Sequence, residues 1–398
     1  MVVAHRDPSP IARRLSASIR ASAERQRMPL LEMARAYPDV INLGRGDPDL
    51  PTPAHIVEAA KRALEEGYTH YTPLNGLPEL RQAIAETQAR KSGLKVDPDS
   101  EVMVTTGGQE AVFIIAQALL DPGDEMLMPD PHYSSYDLAA AAAGGRLVPV
   151  PAFPEDGFLV RPEEVERRIT SRTKALIIVS PDNPSAALYP PELLSRLADV
   201  ARRHELVVVS DEIYSRLVFG NRRAVSLATL PGMRERTIIV DSFSKAYAMT
   251  GWRVGYVVAP ADFVAAIGSL RHTLTICAPT FAQKAAAAAL TGPQDCVAEL
   301  VHTYDERQRH FVQGLRAMGL DAIEPQGTFY VFFDVRSLGI PSSEVCERLL
   351  REARVLAFPG NSYGEAGDGF VRASLAVPLD RIKEAIDRMA RSDVIRRR

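Results

Sequence analysis

Long apolar runs, paired cysteines and a strong excess of one charge are all missing from this sequence of 398 residues. No stretch approaches the roughly 20 consecutive apolar residues that a membrane-spanning helix needs. Cys277, Cys296 and Cys346 lie far apart, so they predict neither a disulfide framework nor a metal site. The formal net charge of −3 predicts no basic surface for nucleic acid or an anionic membrane. Together these absences favour a globular protein of the cytoplasm.

The first 28 residues are rich in arginine and serine, but they lack the apolar core that is typical of a secretory signal. An exposed N-terminal arm is the preferred interpretation, and a transit peptide is the weaker one. The remaining composition, with 46% hydrophobic and 24% charged residues, is ordinary for a folded domain. The length allows one large domain and a smaller one.

Short β-branched runs alternate with helical patterns through the middle of the chain. The alternation predicts an α/β domain with a largely parallel sheet. The predicted strands cover residues 102–106, 125–129, 146–150, 175–180, 206–210, 237–241 and 254–258, and helices are predicted over 110–120, 134–143 and 192–204.

From about Thr291 the pattern changes to a long helix over 296–318, short strands around 329–334 and 369–375, and a closing helix from Leu379. This pattern predicts a smaller α+β domain, joined by the segment before Pro51. The predicted division is therefore an N-terminal arm over residues 1–50, a large domain over 51–290 and a small domain over 291–398.

Polar motifs follow several of the predicted strands, and ligands of open α/β sheets bind beyond the carboxyl ends of strands. Gly107 and Gly108 precede a helix, where backbone N–H groups bind anions; a plain turn is the alternative. Asn183 lies between two prolines, which indicates a fixed backbone or merely a rigid turn. Asp211 follows an apolar strand, where a buried carboxylate needs a partner; a helix cap is the alternative.

Lys245 stands at the end of a strand-like run, in the sequence Ser242-Phe243-Ser244-Lys245. A lysine amine in such a place loses its proton more easily and forms a Schiff base with a carbonyl. Lysines are scarce beside arginines, and most of the others are predicted at solvated ends of helices or in loops. They are Lys61, Lys91, Lys95, Lys174, Lys284 and Lys383.

The order of these motifs resembles a known family. Gly-Gly-Gln, Asn-Pro, Asp-Glu-Ile-Tyr, Ser-Phe-Ser-Lys and Gly-Trp-Arg occur in register, with a Tyr71-Thr72-Pro73 motif before them and Val371-Arg372 after them. The chain is similar to the class I/II aminotransferases from about Ile41 to its C-terminal helix. The resemblance implies a fold-type-I enzyme, with a three-layer α/β/α large domain and pyridoxal 5'-phosphate as cofactor. It also implies transfer of an amino group from an L-amino acid to a 2-oxo acid by a ping-pong mechanism.

The resemblance also implies a role for each matching residue. Lys245 would bind the cofactor aldehyde and then move the substrate Cα proton. Asp211 would pair with the ring nitrogen, and Asn183 and Tyr214 would hydrogen-bond the ring's 3'-oxygen. Arg372 would bind the substrate α-carboxylate, helped by the Gly46 backbone and by Asn183. Tyr133 would stack on the ring, with a core aromatic as the alternative, and the phosphate would contact Gly108, Gln109, Ser242, Ser244, Arg253 and, from the other subunit of a homodimer, Tyr71.

Two departures from the family pattern bear on the loop and on the substrate. The Asn183 loop has Ser180 before it and Ser185-Ala186 after it, where relatives often have Asn and Thr-Gly. Gln109 stands where some aspartate-using relatives have lysine, which favours neutral substrates, although Arg45 is a second candidate for binding an acidic side chain.

Other functions are compatible with the same motifs. A lyase or a synthase on this scaffold shares Lys245, Asp211 and Arg372 and differs in the bond that is broken. A ligand sensor with an aminotransferase-like domain is the non-enzymatic alternative, but the segment before Ile41 is too short for the DNA-binding module that such sensors carry.

Overall fold

The structure is a computed structural model that describes residues 9–15 and 29–396. Most of the predicted arm over residues 1–28 therefore lies outside the described residues. Within the described ranges the strands are β1 (Ile41–Asn42), β2 (Val102–Thr105), β3 (Glu125–Asp130), β4 (Arg146–Pro151), β5 (Thr173–Val179), β6 (Val207–Asp211), β7 (Thr237–Ser242), β8 (Gly255–Val258), β9 (Tyr330–Asp334), β10 (Val355–Leu356), β11 (Phe358–Pro359) and β12 (Phe370–Ser374).

The largest sheet has seven strands in the order β2-β8-β7-β6-β5-β3-β4. Parallel pairing joins β4, β3, β5, β6 and β7, which confirms the predicted mostly parallel sheet. β8 is antiparallel to both of its neighbours, β7 and β2. The seven strands that the pattern predicts here are all present, with their ends displaced by two residues at most.

Helices cover both faces of this sheet, so the large part of the molecule has three layers. Ile177 packs with the helix Gly108–Leu119 on one face, whereas Leu176 and Ile178 pack with the helix Pro191–Arg203 on the other. Successive side chains of a strand point to opposite faces, and both faces are buried here, which explains the continuous apolar runs.

The α-helices of the described residues are Pro10–Arg13, Pro29–Ala34, Ala54–Glu65, Pro78–Ser92, Gly108–Leu119, Ser135–Ala142, Pro162–Glu166, Pro191–Arg203, Phe243–Ala246, Ala261–Leu274, Thr280–Thr291, Asp295–Ala317, Ser342–Arg348, Leu379–Arg391 and Asp393–Arg396. Shorter 3₁₀ turns cover Pro154–Asp156, Leu227–Thr229, Thr250–Trp252, Arg336–Leu338, Gly360–Tyr363 and Glu365–Gly367, and a π-turn covers Leu349–Ala353. The predicted helices over 110–120, 134–143, 192–204 and 296–318 are thus confirmed.

A second, smaller sheet has the order β11-β12-β9 and is antiparallel. The long helix Asp295–Ala317 and the closing helix Leu379–Arg391 pack on it through a separate core. β1 pairs with β10, and Ile41 and Leu43 belong to the same core. Residues near the start of the chain therefore contact the C-terminal part of the molecule.

Two further findings concern membranes and lysines. Among the helices that the structure describes, none combines the length and the apolar character that crossing a bilayer requires. Most of the other lysines are exposed, as predicted, but the side chain of Lys91 is only 16% exposed and pairs with Glu212.

Candidate active site

A cavity of about 500 Å³ opens where β5, β6 and β7 end, between the large sheet and the smaller one. Its walls combine strand ends of the large part with Tyr330 and Arg372 of the small sheet. All the predicted site residues except Tyr71 line this cavity: Gly46, Gly108, Gln109, Tyr133, Asn183, Asp211, Tyr214, Ser242, Ser244, Lys245, Arg253 and Arg372.

Lys245 lies in the short helix Phe243–Ala246, directly after β7. Its Nζ donates a hydrogen bond of 2.6 Å to the carbonyl oxygen of Gly46 and lies 5.6 Å from the ring of Phe329. Burial lowers the pKa of Lys245 to about 8, and the nearby Arg372 and Arg253 act in the same direction. The amine is therefore far closer to its reactive, neutral form at pH 7 than a solvated lysine.

Asp211 is the last residue of β6 and is 5% exposed. Its Oδ2 accepts a hydrogen bond from the hydroxyl of Tyr136, and its Oδ1 accepts one of 3.1 Å from the backbone N–H of Ile213. Burial raises the pKa of Asp211 to about 7, against the effect of these two hydrogen bonds. A buried carboxylate held by neutral donors is stabilised as an anion by any cation that enters the cavity beside it.

An anion cradle lies at the start of the helix Gly108–Leu119. Gly107 has a φ of +77°, and a Cβ there would lie 2.6 Å from Nη2 of Arg253. Arg253 is fixed by its bonds to the carbonyl oxygens of Thr250 (2.9 Å) and Thr106 (3.3 Å). Helix N–H groups, a guanidinium and the buried Ser242 and Ser244 hydroxyls form a donor set suited to a phosphate dianion.

Arg372 lies on β12 and faces the same cavity from the small sheet. Its Nη1 donates to Oδ1 of Asn183 at 2.9 Å, and its Nη2 donates to the carbonyl oxygen of Gly44 at 2.7 Å. The guanidinium carbon lies 4.3 Å from the ring centre of Tyr330 and 4.6 Å from that of Tyr363. Its Nε is buried without a hydrogen-bond partner among the described residues. A guanidinium held between two aromatic rings is well placed to bind a carboxylate in bidentate geometry.

The loop around Asn183, which departs from the family pattern, is closed by its own hydrogen bonds. Oδ2 of Asp182 accepts hydrogen bonds from the backbone N–H of Ser185 at 3.0 Å and from its hydroxyl at 2.6 Å. These bonds close the turn locally, so Asn183 remains directed at Arg372.

The three tyrosines named from the sequence have different surroundings. The Tyr214 hydroxyl lies 3.2 Å from that of Tyr330, deep in the cavity. Tyr133 is 43% exposed at the rim, so the core-aromatic alternative is wrong. Tyr71 is 76% exposed and does not reach the cavity of its own chain.

Sequence reasoning missed three tyrosines that complete the site. Tyr136 donates to Asp211, and Tyr330 and Tyr363 enclose Arg372. Tyr136 lies one helical turn after Tyr133, so the spacing offered a signal for it. Tyr330 and Tyr363 carried no comparable signal, because Tyr330 lies far from Arg372 along the chain and meets it only through the small sheet, and Tyr363 meets it only through the turn Gly360–Tyr363.

Arg45, the second candidate for binding an acidic side chain, is bound elsewhere in the structure. Its Nη2 lies 2.6 Å from Oδ2 of Asp47, and its side chain is 74% exposed. Arg45 therefore pairs with a carboxylate at the cavity wall, while its own side chain points largely into solvent and does not line the cavity.

Comparisons with known proteins agree with this geometry. The sequence profile of a family described as aminotransferase class I and II matches residues 38–389. An aspartate aminotransferase of Pyrococcus abyssi is 42% identical over 362 residues, which are 90% of this chain and 93% of that protein. An aromatic-amino-acid aminotransferase of Thermococcus litoralis is 39% identical over 362 residues, again 90% and 93%. The crystal structure of an aromatic aminotransferase from Pyrococcus horikoshii OT3 has a TM-score of 0.87 and 42% identity, covering 91% of this chain and 98% of that one.

Proposed function

Because this chain belongs to the class I and II aminotransferases, enzymes that use pyridoxal 5'-phosphate, we propose that its cavity binds this cofactor on Lys245. The enzyme would transfer an amino group from an L-amino acid to a 2-oxo acid in two half-reactions. The observation that carries the proposal is the meeting of Lys245, Asp211 and Arg372 in one cavity. Lys245 would attach the cofactor, Asp211 would pair with its ring nitrogen and Arg372 would bind the substrate carboxylate.

The residues present fit the cofactor at each of its polar ends. The anion cradle suits the phosphate, Asp211 suits a protonated ring nitrogen, and the hydroxyl of Tyr214 and the amide of Asn183 suit the 3'-oxygen. When bound, pyridoxal 5'-phosphate supplies an aldehyde that condenses with amines and a ring that accepts electrons from the substrate Cα. The exposed ring of Tyr133 would cover one face of the cofactor ring.

Lys245 would also move the proton in the reaction. Its pKa of about 8 allows the amine to accept a proton from the substrate Cα near neutral pH and to return it afterwards. The carbonyl oxygen of Gly46 would orient the amine while it is free.

Binding of the amino acid would depend on Arg372. A substrate carboxylate would reach a guanidinium that Asn183, Gly44 and two tyrosine rings already hold in place, so little side-chain entropy is lost on binding. Closure of the site around this pair would exclude water from Lys245.

A homodimer is part of the proposal. Tyr71 is exposed, but its backbone is fixed by a bond of 2.5 Å from the Thr280 hydroxyl to the carbonyl oxygen of His70. A fixed backbone with an exposed tyrosine fits the delivery of Tyr71 to the phosphate of a second subunit. A sedimentation mass equal to one chain would contradict the homodimer.

We also propose that the chain divides after residues 50 and 290, into an N-terminal arm, a large domain and a small domain.

The experiment that tests the function mixes the purified, cofactor-loaded protein with one amino acid at a time. We expect a change in cofactor absorbance and release of about one 2-oxo acid per active site when no acceptor is present. Release of ammonia together with repeated turnover would instead support the lyase alternative.

Replacing Arg372 with leucine is expected to raise the Michaelis constant of every amino acid by a similar factor. All amino acids present the same α-carboxylate, and losing a charge-assisted bidentate contact costs about 2–3 kcal/mol, or roughly 30- to 150-fold. Steady-state kinetics with several donors provides the measurement.

Arg372→Lys is the matched control, because it keeps the charge but loses the fork of parallel donors. We expect it to lie between the leucine variant and the wild type. A loss confined to dicarboxylic substrates would place Arg372 at the distal end of the substrate and contradict its assignment.

Neutral aliphatic or aromatic amino donors are expected to react at least as well as aspartate. The cationic residues that line the cavity within the described chain are Lys245, Arg253 and Arg372, and each already has a proposed partner. A distal carboxylate would be desolvated beside the neutral Gln109 without compensation. Single-turnover rates with aspartate, glutamate, leucine and phenylalanine measure the preference.

Two variants make this test sharper. Gln109→Lys is expected to raise the rate with aspartate relative to phenylalanine, and Arg45→Ala is expected to leave the ratio unchanged. A preference for aspartate above tenfold that disappears in Arg45→Ala would overturn the expectation.

A further inference from the structure

Lys91 forms an ionic cluster with buried carboxylates next to cavity-lining residues, and it does not itself line the cavity. It lies near the end of the helix Pro78–Ser92. Its Nζ lies 2.7 Å from Oε2 of Glu212 and 2.6 Å from the hydroxyl oxygen of Ser215. Ser215 and Glu212 follow β6, so the lysine ties the helix to the end of that strand.

A second carboxylate completes the cluster. Oδ2 of Asp241 lies 3.9 Å from Nζ of Lys91 and accepts a hydrogen bond of 2.9 Å from the hydroxyl of Tyr256. Oδ1 of Asp241 accepts one of 2.7 Å from the backbone N–H of Ser242. Burial raises the pKa of Asp241, and the ammonium of Lys91 opposes that rise.

The two carboxylates are covalent neighbours of the site. Glu212 directly follows Asp211 in the chain, and Asp241 directly precedes Ser242. Glu212 also accepts a hydrogen bond of 3.1 Å from the hydroxyl of Ser210, on the other side of Asp211. A movement of Glu212 therefore displaces Asp211, which is proposed to pair with the ring nitrogen. A movement of Asp241 displaces Ser242, which is proposed to contact the phosphate.

We propose that Lys91 is a positioning residue for cofactor binding: held between Glu212 and Asp241, it fixes the ends of β6 and β7 that carry Asp211 and Ser242. This inference rests on the proposed function, since it concerns the same cavity. It adds a residue that contacts neither the cofactor nor the substrate.

Charge explains why a merely apolar side chain cannot replace Lys91. Without its ammonium, Glu212 and Asp241 would face each other in a buried space that also contains Tyr256 and lies beside Asp211. Among the described residues, Arg216 is a second cation that acts on Tyr256, but it donates to the Tyr247 hydroxyl at 2.6 Å and to Gln294 at 2.8 Å. Two buried carboxylates without a cation repel each other, which displaces the strand ends and leaves a negative charge beside the site.

The test compares Lys91→Met with wild-type protein. We expect the dissociation constant of pyridoxal 5'-phosphate, measured by equilibrium dialysis, to rise roughly tenfold, as couplings from positions outside a site typically do. We also expect the pH midpoint of the bound cofactor's absorbance to rise, because the added negative charge near the site stabilises its protonated, cationic form.

Three further variants distinguish a positioning role of Lys91 from a purely structural role in attaching the helix Pro78–Ser92. Lys91→Arg keeps the cation and is expected to stay close to wild type. Lys91→Met with Glu212→Gln removes one charge of each sign and is expected to recover the affinity and the pH midpoint. Lys174→Met is the matched control, because Lys174 pairs with Asp124 at 3.5 Å near the start of β5, whereas the cavity lies where the parallel strands end.

A lower melting temperature of Lys91→Met with unchanged affinity and pH midpoint would overturn the inference and leave Lys91 a structural residue. Failure of the double variant to recover while folded would also overturn it. If wild-type protein itself bound no pyridoxal 5'-phosphate, the proposed function would fail instead, so the two failures are distinguishable.

Discussion

Replacing Lys245 with alanine is expected to abolish amino transfer while the fold is retained. The variant loses both the amine that attaches the cofactor and the base that moves the Cα proton, and proton transfer alone contributes about 10²- to 10⁴-fold. Reduction with borohydride followed by mass spectrometry is the direct measurement. It should add the cofactor's mass to the wild-type chain at Lys245 and nothing to the variant.

Retention of the fold follows from the surroundings of Lys245. The amine is buried with one hydrogen bond, to the carbonyl oxygen of Gly46, and burial already lowers its pKa to about 8. Removing a poorly solvated amine costs little, so the melting temperature of the cofactor-free variant should equal or exceed that of wild type. Lys174→Ala, near the start of β5 and away from the strand ends that form the cavity, serves as the control. A covalent adduct that persisted in Lys245→Ala would show that another lysine holds the cofactor.

The sequence was sufficient for the elements that are defined by local patterns. The run Val207-Val208-Val209 predicts a strand buried on both faces, and Asp211 at its end predicts a polar group at the sheet edge where ligands bind. Lys245 follows its strand in the same way. Because parallel strands end at one edge of the sheet, these residues meet without any knowledge of long-range contacts.

Strand direction and tertiary side-chain contacts could not be predicted from these local patterns. An apolar run over 254–258 predicts a strand but not its direction, and β8 is in fact antiparallel to its neighbours. Lys91 looks like an ordinary helix-end lysine, and only the packing of its helix brings it to Glu212. Tyr363 likewise reaches Arg372 only through the turn Gly360–Tyr363 that follows β11. In each case the deciding contact depends on tertiary packing that the local sequence pattern does not contain.

Replacing Asp211 with asparagine is expected to leave cofactor binding largely intact and to lower the turnover number by several orders of magnitude. A neutral amide does not hold a proton on the ring nitrogen, and each unit of lowered pKa there corresponds to about 1.4 kcal/mol. The electrons released at the substrate Cα then lose their acceptor. Single-turnover kinetics and equilibrium dialysis measure the two effects separately.

The hydrogen bonds of Asp211 explain why the substitution should spare the fold. The asparagine oxygen can accept from the backbone N–H of Ile213, and its NH₂ group can donate to the Tyr136 hydroxyl, which rotates to accept. Because burial raises the pKa of Asp211 to about 7, the neutral form of this group is readily reached in the cofactor-free wild type near neutral pH. A neutral amide therefore changes the stability of the cofactor-free protein little. The effect of the substitution appears only when the protonated ring nitrogen of the cofactor must be bound. Asp211→Glu, which keeps the charge but displaces it, should retain more activity than the amide, and near-wild-type turnover of Asp211→Asn would refute the assignment.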